Sequence, residues 1–458
     1  MSGKLQCISP IDGSVFAERP VASIEDASDA IMRARAAQRD WAARSLSDRT
    51  DLVRAGVAAL GEMSDDVTLE LAYMMGRPVR YGGEFGGVVE RASHMADIAE
   101  DALAPIIVED SATFERRIQR EPHGVVLVIA PWNYPYLTAI NTVAPALIAG
   151  NAVMLKPATQ TLLAGERMVK AFTAAGIPAD VFQNIFLDHA TTENLIEARA
   201  FNFVNFTGSV AAGRKIEMAA AGTFTPLGLE LGGKDPGYVM EDADLDAAVA
   251  TLIDGAMFNS GQCCCGIERI YVHETLYDQF VEKAVALVKT YKLGSPLDPE
   301  TTLGPMANTR FAELVREQID QAVDAGATAH IPVSDNDDGG CYLTPQILTN
   351  VDHSMAVMTD ESFGPVVGIM AVANDGDAIA AMNDSPYGLT ASLWTKDANR
   401  AASIGAQLET GTVFMNRADY LDPALCWTGC KDTGRGGSLS VIGYQNLTRP
   451  KSYHLKKG

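Results

Sequence analysis

From residue 124 onward the chain alternates short apolar runs with helix-length amphipathic stretches, and this alternation restricts the fold more than any other feature. "GVVLVIA" (124–130), "AVML" (152–155), the segment 181–186 and "FNFVNF" (201–206) are continuous apolar runs. Helical patterns separate them at 137–149, 160–175 and 190–199, and another helix is expected to start near Ser209. Strands without polar alternation must be covered on both faces, which a parallel sheet with crossover helices provides. After Gly232 a second α/β series begins. Its strands are expected at 236–240, 268–273, 342–348, 366–372, 390–395 and 412–416, and its helices at 244–259, 275–290, 309–325, 375–383 and 397–406. Ahead of both series, Ser23 reads as the N-cap of an amphipathic helix over 24–44, with Ala27, Ile31, Ala34 and Trp41 near one face. A second helical pattern covers 47–76. "YGGEFGG" (81–87) ends it and reads as a turn, because no strand precedes it as a phosphate loop would require. "SDNDDGG" (334–340) reads as a surface turn.

At roughly 100–200 residues per domain, 458 residues allow two to four domains with large cores. The net charge of −22 repels phosphate backbones and anionic lipids, so neither nucleic acid nor a membrane surface is an expected partner. The N-terminal "MSGKLQCISPIDGS" lacks the basic and apolar regions of a secretory signal, and no apolar run reaches membrane-span length. Three of the seven cysteines, Cys263, Cys264 and Cys265, are adjacent, which disfavours pairing and suits a reducing, cytoplasmic compartment.

Common signatures are missing. No G-x-G-x-x-G or G-x-x-x-x-G-K-[ST] occurs, and "HETLY" (273–277) lacks the second histidine of a zinc-protease helix. Three consecutive cysteines do not converge on one metal from regular backbone, so no metal site is expected from them with Cys426 and Cys430. Unusual local patterns do occur in a fixed order: "PWNYP" (131–135), "LKPA" (155–158), "FTGS" (206–209), "LELGGK" (229–234), "GQCCC" (261–265), "ESFGP" (361–365) and "KDTGRGG" (431–437). Each is weak alone. Together, with Cys264 34 positions after Glu230, they resemble the aldehyde dehydrogenase superfamily over essentially the whole chain.

The resemblance implies a chemistry that these residue types can perform. A thiolate adds to an aldehyde, the tetrahedral oxyanion yields hydride to a nicotinamide, and water cleaves the resulting thioester. By resemblance, Cys264 is the nucleophile, with Cys263 and Cys265 beside the pocket. Asn133, just past the strand 124–130, and the Cys264 backbone N–H would hold the oxyanion. Glu230, after a short strand at 225–229, would activate the deacylating water; coenzyme-A-acylating relatives typically lack it, so hydrolysis to the free acid is expected.

The implied cofactor is NADP or NAD. Gly208 and Ser209 would open a helix toward the pyrophosphate, with Gly213 following and Leu231 nearby. Lys156 would bond the adenine-side ribose, Glu361 the nicotinamide ribose, and Phe363 would lie near the nicotinamide; Trp132 counts among the cofactor contacts and is placed near the aldehyde tunnel. Thr159 stands where many NAD-preferring members carry Glu. A carboxylate there would repel a 2′-phosphate, so acceptance of NADP⁺ is expected. Tyr134, Thr138, Asn141, Tyr420 and Trp427 are placed near the aldehyde tunnel, and the polar Thr138 and Asn141 suit a polar aldehyde or semialdehyde. Arg417 and Arg269 are candidate carboxylate clamps.

The implied architecture is a Rossmann-type cofactor domain (1–103 and 123–232), an α/β catalytic domain (233–430), and a small β oligomerisation arm with a C-terminal tail (104–122 and 431–458), assembled as a homodimer or homotetramer. A cofactor-free thiol esterase or amidase, a non-catalytic relative, and a reductive or coenzyme-A-dependent member are the competing readings. Glu230 disfavours the last, and absorbance at 340 nm separates the first from a dehydrogenase.

Overall fold

The uninterrupted apolar runs become central strands. Val125–Ile129, Ala152–Lys156, Asp235–Val239 and Thr390–Trp394 are buried at every position. The computed structural model describes residues 3–337 and 339–458; of the turn over 334–340, Asp338 lies outside the described residues.

One sheet has six strands in the order Gly434–Arg435, Leu227–Glu230, Phe203–Thr207, Val125–Ile129, Ala152–Lys156 and Phe182–Asn184. All pairings are parallel except that of Gly434–Arg435. Strand order reverses between Val125–Ile129 and Phe203–Thr207, and the loops leaving these two strands flank the crevice where doubly wound sheets bind ligands. Alternate residues of Val125–Ile129 feed two cores. Val126 and Val128 pack with Val53, Leu60 and Leu147, and Val125, Leu127 and Ile129 pack with Ala27, Ile31 and Ala34.

The second sheet runs Thr328–Ala329, Gln346–Thr349, Val366–Val372, Ile267–His273, Asp235–Val239, Thr390–Trp394 and Thr412–Met415. Only the edge strand Thr328–Ala329 is antiparallel. A third sheet joins Thr448–Lys456 to Phe114–Pro122 along its whole length, with Ile106–Asp110 on the far side.

Three local expectations are corrected, and one element is added. The pattern over 47–76 is two helices, Leu46–Gly61 and Ser64–Met75. The break has no proline or side-chain cap. The first helix ends on Gly61, where packing excludes a side chain: a Cβ there would lie 2.1 Å from the Phe85 ring. The glycine-rich turn at 81–87 already contains the start of a further helix, Phe85–Asp97. The strand expected at 342–348 begins only at Gln346, because Pro345 has no amide to give a ladder. Finally, the N-terminus forms a hairpin, Lys4–Ile8 with Val15–Pro20.

Candidate active site

The loop after Val125–Ile129 carries "PWNYP" and ends in the helix Pro135–Ile148, with Pro135 at its start. Glu84 caps that helix: its Oε2 accepts from Tyr136 N at 3.1 Å and Leu137 N at 2.7 Å. Arg77 pairs with Glu84 at 2.6 Å, both side chains being buried. Burial raises the Glu84 pKa, and Arg77 and the two amides oppose that rise. Arg77 also donates to the Asn133 carbonyl and to Asn259 Oδ1, and its guanidinium lies 4.6 Å over the Tyr134 ring. The buried pair thus fixes the backbone on which Asn133 stands.

Asn133 is buried, and its Nδ2 donates to the Gln262 carbonyl at 3.1 Å, two residues before Cys264. Gln262 is itself held, accepting from Ala307 N at 2.8 Å and donating to Asn259 O at 3.0 Å. The chain enters this turn through two left-handed residues, Asn259 and Ser260, at φ 55° and 56°.

Cys264 is partly exposed and lines a cavity of about 260 Å³. Cys263 and Cys265 are buried on the same cavity wall, and their Sγ atoms donate to Asp419 Oδ1 at 3.4 and 3.0 Å. Burial holds the Asp419 carboxyl well above the carboxylate range. The thiols of Cys263 and Cys265 each have one proton, which can turn from Asp419 to Cys264; so turned, it favours the Cys264 thiolate and brings its pKa below the ordinary thiol value in spite of burial. Among the described residues, Cys263, Cys265 and Asp419 are the group whose donor atoms lie close enough to share an ion, within 4.8 Å. Cys430 instead donates to Glu409 O at 2.9 Å.

Glu230 ends the strand Leu227–Glu230 rather than following it, and lines the same cavity. Its Oε2 accepts from Thr207 Oγ1 at 3.1 Å, and burial raises its pKa. Gly434 pairs opposite it at φ 110°, with a would-be Cβ 2.2 Å from Leu229 O; only glycine lets the late segment pass so close. Leu231, Tyr134, Thr138, Asn141, Tyr420 and Trp427 also line the cavity. The Tyr420 hydroxyl donates to Glu90, and the Arg417 guanidinium stacks 3.6 Å over the Tyr420 ring.

The remaining predicted residues lie outside this cavity. Glu361 Oε1 accepts from Gly233 N at 3.0 Å, and burial pushes its carboxyl up to about 8. A Cβ on Gly232 would sit 2.3 Å from Glu361 Oε2. The "ESFGP" loop is held by Glu268, which accepts from Ser362 N at 2.8 Å and Phe363 N at 2.9 Å and pairs with the fully buried Lys234 at 2.6 Å. Trp132 stacks on Phe311 at 5.2 Å and meets Phe363 edge-on at 5.5 Å, joining loops from the two large sheets. Lys156, 7 % exposed, makes no side-chain hydrogen bond or ion pair among the described residues, and burial lowers its pKa to about 8. Thr159 is exposed and opens a short turn, Thr159–Thr161. Gly208 precedes Ser209, which caps the helix Val210–Ala220 by accepting from Ala212 N at 3.3 Å. Gly213 packs that helix against Leu231, where a Cβ would come within 2.5 Å. A buried ammonium without a partner, a helix N-terminus with free amides and a buried carboxylate on a fixed loop suit a dinucleotide.

Arg269 is not a clamp. It is buried away from the cavity, and its guanidinium donates to the carbonyls of Lys234, Ala381 and Met382. Sequence reasoning passed over Arg77, Glu84, Arg91, Glu268 and Asp419. Arg91 alone left a signal: with Val88, Ala92 and Met95 it falls on the buried face of Phe85–Asp97.

A doubly wound sheet and a second α/β sheet, with a thiol and a carboxylate, both partly buried, sharing one cavity, define an α/β protein of the cofactor-binding class. The model described as Aldehyde dehydrogenase family matches residues 1–453. The chain is 34% identical to 3,6-anhydro-alpha-L-galactose dehydrogenase of Streptomyces coelicolor, over 99% of this chain and 93% of that one. It is 31% identical to the succinate-semialdehyde dehydrogenase [NADP(+)] of Mycobacterium leprae, over 97% and 98%. Among solved structures, the NADP-dependent glyceraldehyde-3-phosphate dehydrogenase from Bacillus halodurans C-125, complexed with NADP, superimposes with a TM-score of 0.93 at 33% identity, covering 100% of this chain and 96% of that one. The chain belongs to the aldehyde dehydrogenase family and is an oxidoreductase acting on aldehydes.

Proposed function

We propose that the protein oxidises an aldehyde to the carboxylic acid through a thioester on Cys264 and accepts NADP⁺ as well as NAD⁺. The observation that carries this is the shared cavity of Cys264 and Glu230, with a thiol held toward its thiolate and a carboxylate held toward its acid. The Cys264 thiolate adds to the carbonyl carbon, forming the C–S bond. Asn133, with a second amide proton beyond the one given to Gln262, and the Cys264 N–H take the oxyanion. The dinucleotide, when bound, supplies the hydride acceptor. Glu230 then takes a proton from water, whose oxygen attacks the acyl carbon and releases the Cys264 sulfur. A carboxyl pKa raised by burial suits a base working near neutrality.

Lys156, Thr159, Gly208, Ser209, Gly213, Leu231, Glu361, Phe363 and Trp132 are the proposed cofactor contacts. The exposed, neutral Thr159 and the NADP dependence named for two relatives support acceptance of NADP⁺. The domain division at 104, 123, 233 and 431 is proposed with it, although Gly434–Arg435 joins the six-stranded sheet.

The test is absorbance at 340 nm with aldehydes of several classes and both cofactors. Cys264→Ala is expected to abolish turnover. Glu230→Gln is expected to give a burst of reduced cofactor and then slow production; normal turnover in Glu230→Gln refutes the assigned base.

A further inference from the structure

Resting on that reading, we infer that Arg91 forms a subsite for a carboxylate at the far end of the substrate, so that the preferred aldehyde is a short ω-oxo acid. Arg91 is 7 % exposed and lines the cavity that holds Cys264 and Glu230. Among the described residues only its Nη1 is engaged, donating to Leu137 O at 2.9 Å and Asn141 Oδ1 at 3.2 Å. Both acceptors are neutral. No carboxylate forms an ion pair with it among the described residues, and its neighbour Glu90 accepts from Tyr420.

Lys156, a proposed cofactor contact, is likewise without a bonded counter-ion among the described residues; the other buried cations contrast with Arg91. Arg77 has Glu84, Lys234 has Glu268, and Arg49 and Arg269 spread their donors over backbone carbonyls. The Glu84 and Glu230 carboxylates act on Arg91 through space and ease its burial in part, but neither bonds to it, so a buried guanidinium with idle donors gains when an anion arrives with the ligand. Its planar fork matches a carboxylate in two parallel bonds. A cavity of about 260 Å³, small for a ligand site, limits the substrate to a few carbons between its two ends.

The wild type is assayed at 340 nm with 4-oxobutanoate and with butanal, which match in chain length. The expected kcat/KM for 4-oxobutanoate exceeds that for butanal at least tenfold. Arg91→Gln is expected to raise KM for 4-oxobutanoate about 10- to 100-fold, the range for a hydrogen bond to a charged group, with a smaller fall in kcat. The loss on butanal is expected to be at least tenfold smaller, and Arg91→Lys, which keeps the charge, to recover part of the affinity. Equal losses on the two aldehydes, or a wild-type preference for butanal, overturn the subsite. So does a preference for glyceraldehyde 3-phosphate over 4-oxobutanoate, which would make the anion a phosphate. If Arg91→Gln does not fold, inhibition of the wild type decides: succinate is expected to compete with the aldehyde at least tenfold better than butyrate, and parity overturns the proposal. Butanal oxidised with no carboxylate preference removes only this subsite. Reduced cofactor from none of these aldehydes removes the aldehyde reading and the subsite with it.

Discussion

At the scale of single residues, the chemistry depends on how three adjacent thiols divide their protons. Cys263 is pushed up to about 12 and Cys265 well above the thiol range, while Cys264 between them is brought down. In the proposed mechanism the reactive form is the thiolate, so activity is expected to rise with pH through the Cys264 pKa. Because that pKa is lowered, the acid limb of kcat/KM is expected below the ~8.5 of an ordinary thiol. Cys263→Ala removes a donor to the thiolate and should move the limb upward. The rate of Cys264 alkylation by iodoacetamide against pH, followed by mass on its peptide, checks this. An unmoved limb in Cys263→Ala would sink the hydrogen-bond account. Motif spacing marked Cys264, Glu230 and Asn133 as candidates, because each stands in a short pattern, and the fold sets Cys264 and Glu230 on one cavity with Asn133 bonded to Gln262 two residues from Cys264. Asp419 was not legible, and Arg91 left no more than its place on the buried face of Phe85–Asp97. A lone charged residue in a sequence defaults to the solvated surface, and only the fold reveals what surrounds it.

Among the elements, the loop Glu361–Pro365 is the part whose support can be removed cleanly. Glu268 gives one oxygen to Lys234 and Ser362 N and the other to Phe363 N. Glu268→Ala would leave the Lys234 ammonium unpaired at 0% side-chain exposure and two amides without acceptors. Breaking a buried pair in this way costs about 3–5 kcal/mol. The variant is expected to melt lower and to show a raised KM for the dinucleotide, while Cys264 still alkylates at its wild-type rate. A wild-type KM in a folded variant would show that the loop does not need this anchor. The strands were largely readable because their apolar runs are uninterrupted, and Pro345 shows where that reading failed for want of weighing a missing amide. The split between Leu46–Gly61 and Ser64–Met75 left one weak local signal, the glycine that closes the first helix, and the Phe85 ring that keeps Gly61 without a side chain comes from a later helix. "YGGEFGG" likewise gave a turn but hid Glu84, whose φ of 68° turns it toward a helix some fifty residues on.

For the whole molecule, the three-stranded sheet raises the question of what it packs against. Ile106, Ile107 and Val108 are 60, 57 and 55 % exposed, and Leu455 on the opposite edge strand is 45 % exposed. Thr448–Lys456 has a partner on one side only, so one row of its amides and carbonyls is open to another chain. A small ribbon with an apolar face is marginal in water by itself, and an open strand edge invites pairing. These features support the reading of a homodimer or dimer of dimers built through this sheet. The full chain, 48.8 kDa, is therefore expected to sediment at a multiple of that mass at micromolar concentration. Deleting residues 448–458 should shift it to the monomer and lower the melting temperature, because the deletion strips Phe114–Pro122 of its longest partner as well as any neighbour. The double change Ile107→Lys and Val108→Lys leaves the backbone ladder intact and tests the face separately. Assembly lost in both variants places the contact on this sheet, assembly kept in both moves it elsewhere, and a monomeric wild type removes the oligomer altogether.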